Sequence, residues 1–408
     1  MGKPTKTDVL IVGAGHAGAA LACALRRKGF AGSIILSNDE AHLPYERPPL
    51  SKACLLGVPS IDKLLLREQD FWKRANIDIL TGCRVAAIDP GRNVAKLGNG
   101  RSIQFSWCVL ATGGRARALD CPGADLSGIY RLRTFDDMLA LHDALSSAER
   151  LTVIGGGYIG LEVAATARAL GKQVDVVETQ SRVLSRSTSR VVSTFLENEH
   201  RRHGVRLHME RSIAAIEGED RALTVQLSDG TCLFTDLVLA GIGIDAETAL
   251  AEAAGIACHA GVLVDSAFRS SAPNVLAIGD CARHPNDFAG GLWRLESVQH
   301  AEDSANIAAD TILGRTVSYH DVPAFWSDQY DFRLQSAGIA READDMVVRG
   351  DTERGPFSVV YLREGRIIAI DAVNAPREFI AGRRLIAEGA SVDRDRLADS
   401  GVPLRALA

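Results

Sequence analysis

The 408-residue sequence lacks the paired cysteines that mark dithiol redox centres and many metal sites. Its eight cysteines are scattered, and none belongs to a CxxC or CxxxxC pair. A zinc site, an iron–sulfur cluster and a redox-active dithiol are therefore not expected.

Long apolar runs and an excess of one charge are also missing. No run reaches the roughly 18 residues that a membrane-spanning helix needs, and the apolar stretch at residues 9–13 is too short for a signal peptide. The 46 basic and 51 acidic residues give a net charge of −5. We therefore expect a cytoplasmic protein that binds neither membranes nor nucleic acid.

The clearest positive signal is a strand–glycine–helix pattern that occurs twice, in residues 8–29 and 151–178. Each copy begins with a β-branched run, turns on glycines, and continues with alanine and leucine at helical spacing. After residue 323, short alternating strands with turns predict a different, α+β texture. The sequence thus predicts an α/β fold with two Rossmann-like dinucleotide-binding domains and a C-terminal α+β domain.

The first glycine motif contains Gly13, Gly15 and Gly18, and it follows a strand and opens a helix. In such motifs the glycines allow a tight turn, a close approach to a pyrophosphate, and close helix–strand packing. An acid about 20 residues further on binds a ribose hydroxyl. Asp39 is the candidate for this role, with Glu40 as its rival.

The second motif repeats this arrangement and predicts which nicotinamide cofactor the chain prefers. Glu178 ends the strand that follows it, and a carboxylate there accepts hydrogen bonds from a free 2′-hydroxyl and repels a 2′-phosphate. NADH is therefore favoured over NADPH, although Arg182 could tolerate a phosphate. The candidate NAD-binding residues are Gly155, Gly157, Tyr158, Ile159, Gly160, Glu178 and Gly243.

Two dinucleotide folds in one chain usually mean FAD in one and a nicotinamide in the other, and further segments narrow the family. Residues 43–52 read LPYERPPLSK, and four more motifs follow in order: GGGYIGLE (155–162), AIGDCA (277–282), RLESVQHA (294–301) and FWSDQYD (325–331). The chain resembles the FAD-dependent NADH:ferredoxin reductases of bacterial multicomponent oxygenase systems. That resemblance implies a glutathione-reductase-like fold, FAD and NADH as cofactors, and a monomer or weak homodimer.

The resemblance also implies a domain plan and roles for individual residues. Residues 1–113 and 245–320 would form a discontinuous FAD-binding domain. Residues 114–244 would form the NAD-binding domain, and residues 321–408 the C-terminal α+β domain. Lys52, Glu162 and Trp326 would act in catalysis, with Lys52 facing Glu162 across the nicotinamide pocket. The residues expected to contact FAD are Gly13, Gly15, Gly18, Asp39, Arg47, Lys52, Ala111, Thr112, Gly113, Asp280, Ser297, Val298 and Trp326.

Four residues depart from the family's usual pattern. Residues 246–247 are Ala-Glu where a Pro-Asn pair is usual, Ala324 stands where a tryptophan is frequent, and His300 replaces a frequent asparagine.

The expected electron acceptor follows from the missing dithiol together with the resemblance. Electrons must leave from the flavin itself, which can release them singly, so we expect a 2Fe–2S ferredoxin partner.

Through that ferredoxin, the chain would serve a cytochrome P450 or a ring-hydroxylating dioxygenase. Such ferredoxins are usually acidic, so arginines near the flavin edge are expected to dock them. The candidates are Arg294, Arg333, Arg377, Arg383 and Arg384.

Simpler interpretations stay open at this stage. Lys52 and Glu162 could form a plain salt bridge, and Trp326 could be a core residue. Cys54 is interpreted as structural, although related oxidases and peroxidases use a single reactive cysteine. The alternative functions are an NADH oxidase or peroxidase, and an NADH-responsive flavoprotein that acts by binding.

Overall fold

The computed structural model describes residues 5–57, 60–219, 222–353 and 355–407. The chain forms two compact units. Unit 1 comprises the described residues within 1–46, 60–115 and 245–323, and unit 2 those within 47–59, 116–244 and 324–408. None of the helices in the described ranges combines the length and the hydropathy that crossing a bilayer requires.

The described residues form 25 strands and ten α-helices. The strands are β1 (Thr5–Val12), β2 (Ile34–Ser37), β3 (Ile77–Leu80), β4 (Val85–Asp89), β5 (Val94–Leu97), β6 (Ser102–Leu110), β7 (Gly114–Ala116), β8 (Ile129–Tyr130), β9 (Arg150–Ile154), β10 (Gln173–Glu178), β11 (Val205–Met209), β12 (Ile213–Glu219), β13 (Ala222–Leu227), β14 (Cys232–Thr235), β15 (Leu237–Ala240), β16 (Ile244–Ala246), β17 (Val262–Leu263), β18 (Val275–Ala277), β19 (Ala282–Asn286), β20 (Gly291–Trp293), β21 (Ala324–Gln329), β22 (Phe332–Gly338), β23 (Asp345–Gly350), β24 (Phe357–Arg363) and β25 (Arg366–Val373). The α-helices are α1 (His16–Arg27), α2 (Ala53–Leu56), α3 (Gln69–Arg74), α4 (Phe135–Ser147), α5 (Tyr158–Ala169), α6 (Arg190–Arg202), α7 (Ala249–Ala253), α8 (Val298–Ile312), α9 (Pro376–Ala387) and α10 (Arg394–Ala398).

Unit 1 is built on a sheet with the strand order β3-β2-β1-β6-β5-β4, and β18 also pairs with β6. The central strands β3, β2, β1, β6 and β18 are parallel, and the β4–β5 hairpin extends the sheet in antiparallel fashion. Residues 9–12 of β1 are all buried, as expected for a parallel strand covered on both faces. Helices α1 and α8 pack against each other.

Unit 2 contains a second parallel sheet with the order β11-β10-β9-β15-β8. Strands β12, β13 and β14 form a separate antiparallel sheet. Residues 324–373 form an antiparallel sheet with the order β21-β22-β25-β24-β23, against which α9 packs. The predicted fold class, with two parallel dinucleotide-type sheets and a C-terminal α+β part, is confirmed.

Two details add to this description. Strand β18 ends at Ala277, and a 3-10 turn follows over Gly279–Cys281, inside the AIGDCA motif. Gly279 has a φ of +67°, which lies outside the range of β-strands, so the chain turns at this residue. Residues 47–57 belong to unit 2, and the assignment of residues 1–113 to one domain stays a prediction.

Candidate functional site

The first glycine loop leaves no room for side chains between β1 and α1. A Cβ atom on Gly13 would lie 2.2 Å from the carbonyl oxygen of Ala111, and one on Gly18 would lie 1.9 Å from the carbonyl oxygen of Gly13. Gly13 also has a φ of +107°, where side chains are strained. Gly15 is the N-cap of α1. The loop is therefore a tight cradle at a helix N-terminus.

The acids expected near this loop have different environments. Asp39 is exposed just beyond β2, whereas the Glu40 carboxylate accepts a 2.5 Å hydrogen bond from the Tyr45 hydroxyl. Asp280 lies in the turn after β18, and a Cβ on its neighbour Gly279 would be 2.8 Å from the Cβ of Ala17 in α1. Unit 1 thus brings the Asp280 turn against the helix that the glycine loop opens.

The segment after β6 continues this edge of unit 1. The backbone N–H of Ala111 donates to Val12, and the Thr112 hydroxyl donates to the carbonyl oxygen of Glu247 over 2.7 Å. Gly113 has a φ of +67° and accepts a bond from the Glu247 N–H. Glu247, one of the departures from the family pattern, therefore fixes this turn through its backbone.

Ser297 and Val298 stand at the start of α8. The Ser297 hydroxyl caps the helix by accepting a 3.1 Å hydrogen bond from the N–H of His300. His300 itself is 1% exposed and stacks on His284 with ring centroids 4.8 Å apart. Burial lowers the pKa of His300 to about 3, so its ring is neutral.

The second glycine loop reproduces the first in unit 2. A Cβ on Gly155 would lie 2.5 Å from the carbonyl oxygen of Gly241, and one on Gly160 would lie 2.3 Å from that of Gly155. Gly155 has a φ of +104°, and Gly157 is the N-cap of α5. The same physical constraint, close backbone contact behind a helix N-terminus, therefore operates in both copies.

Glu178 closes this second loop. Its Oε2 accepts a 2.7 Å hydrogen bond from the N–H of Gly156, and its Oε1 accepts a 2.8 Å bond from the N–H of Gln180. The Arg182 guanidinium donates to the Ser193 hydroxyl and to the carbonyl oxygen of Ser185. Arg182 is thus engaged with neighbouring protein groups, and the carboxylate is the charge that faces the loop.

The other candidate NAD-binding residues flank this loop. Tyr158 begins α5, and its ring packs on Phe325 with centroids 4.3 Å apart. Burial raises the pKa of Tyr158 far above its usual range. Ile159 is exposed in the first turn of α5, and Gly243, with a φ of +97°, accepts a hydrogen bond from the N–H of Arg117.

Lys52 and Glu162 meet in unit 2. The Nζ of Lys52 lies 2.7 Å from Oε2 of Glu162, whose side chain is only 3% exposed. The same oxygen accepts a 2.5 Å bond from the Ser51 hydroxyl, and Oε1 accepts a 2.6 Å bond from the Ser327 hydroxyl. The buried Glu162 carboxylate is thus held by one cation and two hydroxyl donors.

Arg47 and Trp326, which the resemblance assigns to FAD, also belong to unit 2. Arg47 is half-buried and donates a 2.7 Å bond to the carbonyl oxygen of Arg133. Trp326 is half-buried in β21, so it is not a core residue. Because successive strand residues point to opposite faces, Trp326 lies on the face opposite Ser327.

Cys54 is fully buried, and burial raises the pKa of its thiol to about 11. The thiolate is the nucleophilic form of cysteine, so this residue is poorly suited to sulfenate chemistry. The structure therefore agrees with the interpretation of Cys54 as structural. The chain's eight cysteines, all within the described ranges, are free thiols.

Sequence reasoning missed two hydroxyls that the structure brings to Glu162. Ser51 and Ser327 both lie inside motifs that were recognised, at residues 43–52 and 325–331. Nothing in the sequence indicates that either hydroxyl would contact Glu162, since that requires the packing of three separate segments. Gly156 was likewise missed as a donor to Glu178, although it is part of the second glycine motif.

The two cradles fit dinucleotide cofactors. Each exposes the N-terminus of a 12-residue helix capped by glycine, with no acidic residue in the first turn, which suits a pyrophosphate. Asp39 and Glu178, the acids predicted to bind ribose hydroxyls, lie at or just beyond the end of the second strand of each motif. The residues around the first loop would hold FAD, and those around the second a nicotinamide dinucleotide.

Comparison with known proteins defines the class. The chain belongs to the pyridine nucleotide-disulphide oxidoreductase family, whose sequence profile matches residues 7–305, and a reductase C-terminal module matches residues 324–408. The use of FAD and a pyridine nucleotide is characteristic of that family, so the expected cofactors are confirmed. The chain differs from the disulphide-using members in its lack of a closely spaced cysteine pair.

Within this family, its relatives are ferredoxin reductases. It is 46% identical over 403 residues, 98% of each chain, to the ferredoxin reductase subunit of 5,5′-dehydrodivanillate O-demethylase from a Sphingobium species. The crystal structure of the ferredoxin reductase for the CYP199A2 system of Rhodopseudomonas palustris is 39% identical, with a TM-score of 0.96 and coverage of 98% of this chain and 100% of that one. Putidaredoxin reductase in its covalent complex with putidaredoxin is 38% identical, with a TM-score of 0.94 and 98% coverage of both chains. The predicted membership of the ferredoxin reductases of oxygenase systems is confirmed.

Proposed function

We propose that this protein takes hydride from NADH and delivers single electrons to a 2Fe–2S ferredoxin that feeds an oxygenase. When bound, FAD supplies an acceptor for hydride and a donor of single electrons. Each NADH then gives one proton and two electrons, which reduce two ferredoxin molecules. The oxygenase would be a cytochrome P450 or a ring-hydroxylating dioxygenase, and the reaction would take place in the cytoplasm, where NADH is produced.

The observation that carries this proposal is the state of the cysteines in a chain of this family. Cys54 follows the Lys52 site by two residues but is buried with a raised pKa, and the sequence has no CxxC or CxxxxC pair. Electrons therefore have no thiol route out of the protein. A one-electron carrier, as in the names of the similar reductases, is the acceptor that this chemistry favours.

The preference for NADH rests on Glu178. Its carboxylate is fixed by the N–H groups of Gly156 and Gln180, so it cannot swing aside to admit a phosphate without breaking both bonds. Arg182, the cation that could neutralise a 2′-phosphate, is bonded to Ser193 and Ser185. Glu178 therefore accepts hydrogen bonds from a free ribose and repels the extra phosphate of NADPH.

The roles of the remaining residues follow from their placement. Gly13, Gly15, Gly18, Asp39 and Asp280 hold FAD in unit 1. The ion pair of Lys52 and Glu162 acts in the hydride-transfer step, where a cation stabilises negative charge that develops as electrons arrive. Ser297 and Val298, at the start of α8 in unit 1, are proposed to contact the flavin.

Helix α9 is the proposed ferredoxin-docking element. Its outward face carries Arg377, Ile380 and Arg384 at helical spacing, and Ile380 is 68% exposed. Two of the other candidate arginines pair closely with acids, Arg294 with Glu296 at 2.6 Å and Arg333 with Asp328 at 2.8 Å, whereas Arg384 lies 3.7 Å from Glu388. A basic face with an apolar centre suits an acidic protein partner.

The docking surface is tested by charge reversal. Arg377→Glu with Arg384→Glu is expected to raise the KM for ferredoxin at low salt without changing the rate of reduction by NADH. Arg396→Glu, an exposed arginine on α10, is the matched control. An unchanged KM in the double variant removes α9 from the interface.

The function itself is tested by following NADH oxidation in air with and without putidaredoxin as the probe. Slow oxidation alone and rapid oxidation with reduction of the added ferredoxin are expected. Fast consumption of oxygen or peroxide with no response to ferredoxin would reassign the chain as an oxidase. A long-lived NADH-reduced state with slow turnover under both conditions would indicate a protein that acts by binding.

A further inference from the structure

A chain of hydrogen bonds runs from Glu162 through strand β21 to helix α6, entirely within unit 2. Ser327 lies 2.6 Å from Oε1 of Glu162, and Nε2 of Gln329 lies 3.1 Å from the Ser327 hydroxyl. Oε1 of Gln329 lies 2.9 Å from Nε2 of His200, whose Nδ1 lies 2.9 Å from the Tyr330 hydroxyl. Ser327, Gln329 and His200 are buried.

The hydrogen bonds in this series have a single consistent donor-to-acceptor direction. A serine hydroxyl has one hydrogen, so a Ser327 oxygen that accepts from the Gln329 amide must direct its own hydrogen to Glu162. The Gln329 carbonyl oxygen then needs a donor, which is the Nε2–H of His200. Burial lowers the pKa of His200 to about 4, so the ring is neutral and its free Nδ1 accepts from Tyr330.

We propose that Ser327 is a positioning residue for Glu162 and that Gln329, His200 and Tyr330 keep its hydroxyl directed at that carboxylate. The inference rests on the proposed function of the Lys52–Glu162 pair. Oε2 of Glu162 is bound by Lys52 and Ser51, and the bond from Ser327 to Oε1 fixes the rotation of the carboxylate. Strand β21 opens the C-terminal part of the chain, which thereby helps to order the charge pair.

Ser327 is tested against a serine in the same sheet with a similar environment. Ser358 is fully buried in β24 and donates to the carboxylate of Glu378 over 3.3 Å. Ser327→Ala is expected to slow NADH-driven flavin reduction about tenfold or more, the size expected for losing a hydrogen bond to a charged group. The dissociation constant of NADH should stay within about twofold of wild type. Ser358→Ala should leave both values unchanged.

Rescue separates positioning from general stability. Ser327→Thr keeps the hydroxyl and should recover most of the lost rate, while Ser327→Ala should not. Equal rates in wild type and Ser327→Ala would overturn the inference, as would an equal loss in Ser358→Ala. If the wild-type protein fails to reduce ferredoxin at all, the proposed function fails instead, and the two failures are thus distinguishable.

The donor-to-acceptor direction of these hydrogen bonds can be measured independently of activity. Nitrogen-15 NMR of histidine-labelled holoprotein distinguishes the two neutral tautomers, and a His200→Gln variant identifies the His200 signals. The Nε2–H tautomer at neutral pH is expected. An Nδ1–H tautomer, or a protonated ring, would reverse or break the chain and overturn the proposed role of Gln329.

Discussion

Lys52 and Glu162 are 110 positions apart in the sequence, yet the Nζ of one lies 2.7 Å from Oε2 of the other. The carboxylate is 3% exposed and the ammonium group's side chain 22% exposed, so the pair is largely removed from water. Breaking such a pair on one side leaves an uncompensated buried charge. A structural and a catalytic role can therefore be separated by comparing single and double substitutions.

Lys52→Met should lower the free energy of unfolding by about 3 kcal/mol, because it removes the cation from a carboxyl group that stays buried. The double variant Lys52→Met with Glu162→Gln should regain most of that stability, since neither charge remains. In both variants, NADH should reduce the flavin much more slowly than in wild type. Thermal melting and stopped-flow absorbance measure the two effects. A stable double variant that is reduced at the wild-type rate would make the pair purely structural.

Glu178→Gln should relax the preference for NADH over NADPH. The amide keeps an oxygen for the N–H of Gly156 but removes the charge that repels a 2′-phosphate. The ratio of kcat/KM for NADH to that for NADPH is expected to fall about tenfold. Arg182→Met is the control, because this side chain is bonded to Ser193 and Ser185. A ratio that changes in the control and not in Glu178→Gln would assign the discrimination to Arg182.

Adding one methyl group to each glycine cradle should affect a different cofactor in each case. Gly18→Ala places a Cβ 1.9 Å from the carbonyl oxygen of Gly13, and Gly160→Ala places one 2.3 Å from that of Gly155. We expect the first variant to be purified without its yellow flavin. The second should stay yellow but show a raised KM for NADH. Absorbance of the purified proteins and steady-state kinetics test this, and the opposite pattern would exchange the cofactors between the units.

Stability should fall as the pH drops below about 6.5, in part because of His300. Its pKa is about 3 in the folded protein and about 6.5 when unfolded, so between these values unfolding takes up a proton. The contribution is complete above pH 6.5 and is lost progressively towards pH 3. His300→Gln should reduce the loss of unfolding free energy between pH 7.5 and 5 by about 2 kcal/mol. Urea titrations at both pH values measure it, and an identical loss in the variant would show that His300 is protonated in the folded state.

The fold was largely predictable because its strongest signals are local. Gly13 and Gly18, and their counterparts Gly155 and Gly160, report a tight strand-to-helix turn directly in the sequence, and the apolar runs beside them predict buried parallel strands. The turn at Gly279 was harder to predict from the sequence. An apolar run ending in glycine indicates a longer strand than the packing of Gly279 against Ala17 permits.

The environment of Glu162 could be predicted only in part. Its pairing with Lys52 came from the resemblance to a family. The hydroxyls of Ser51 and Ser327 reach it from positions 111 and 165 residues away in the sequence. Serines are common surface residues, and no periodicity indicates which of them will be buried against a carboxylate. The link from Ser327 to His200 likewise depends on how β21 packs beside α6.

The central claim is that two electrons from one NADH leave the protein one at a time. The most direct test is an anaerobic titration of the yellow protein with NADH in the presence of excess oxidised putidaredoxin. Two reduced ferredoxin molecules are expected for each NADH consumed. NADH consumption without ferredoxin reduction, followed by rapid reoxidation only when oxygen or peroxide is admitted, would contradict it.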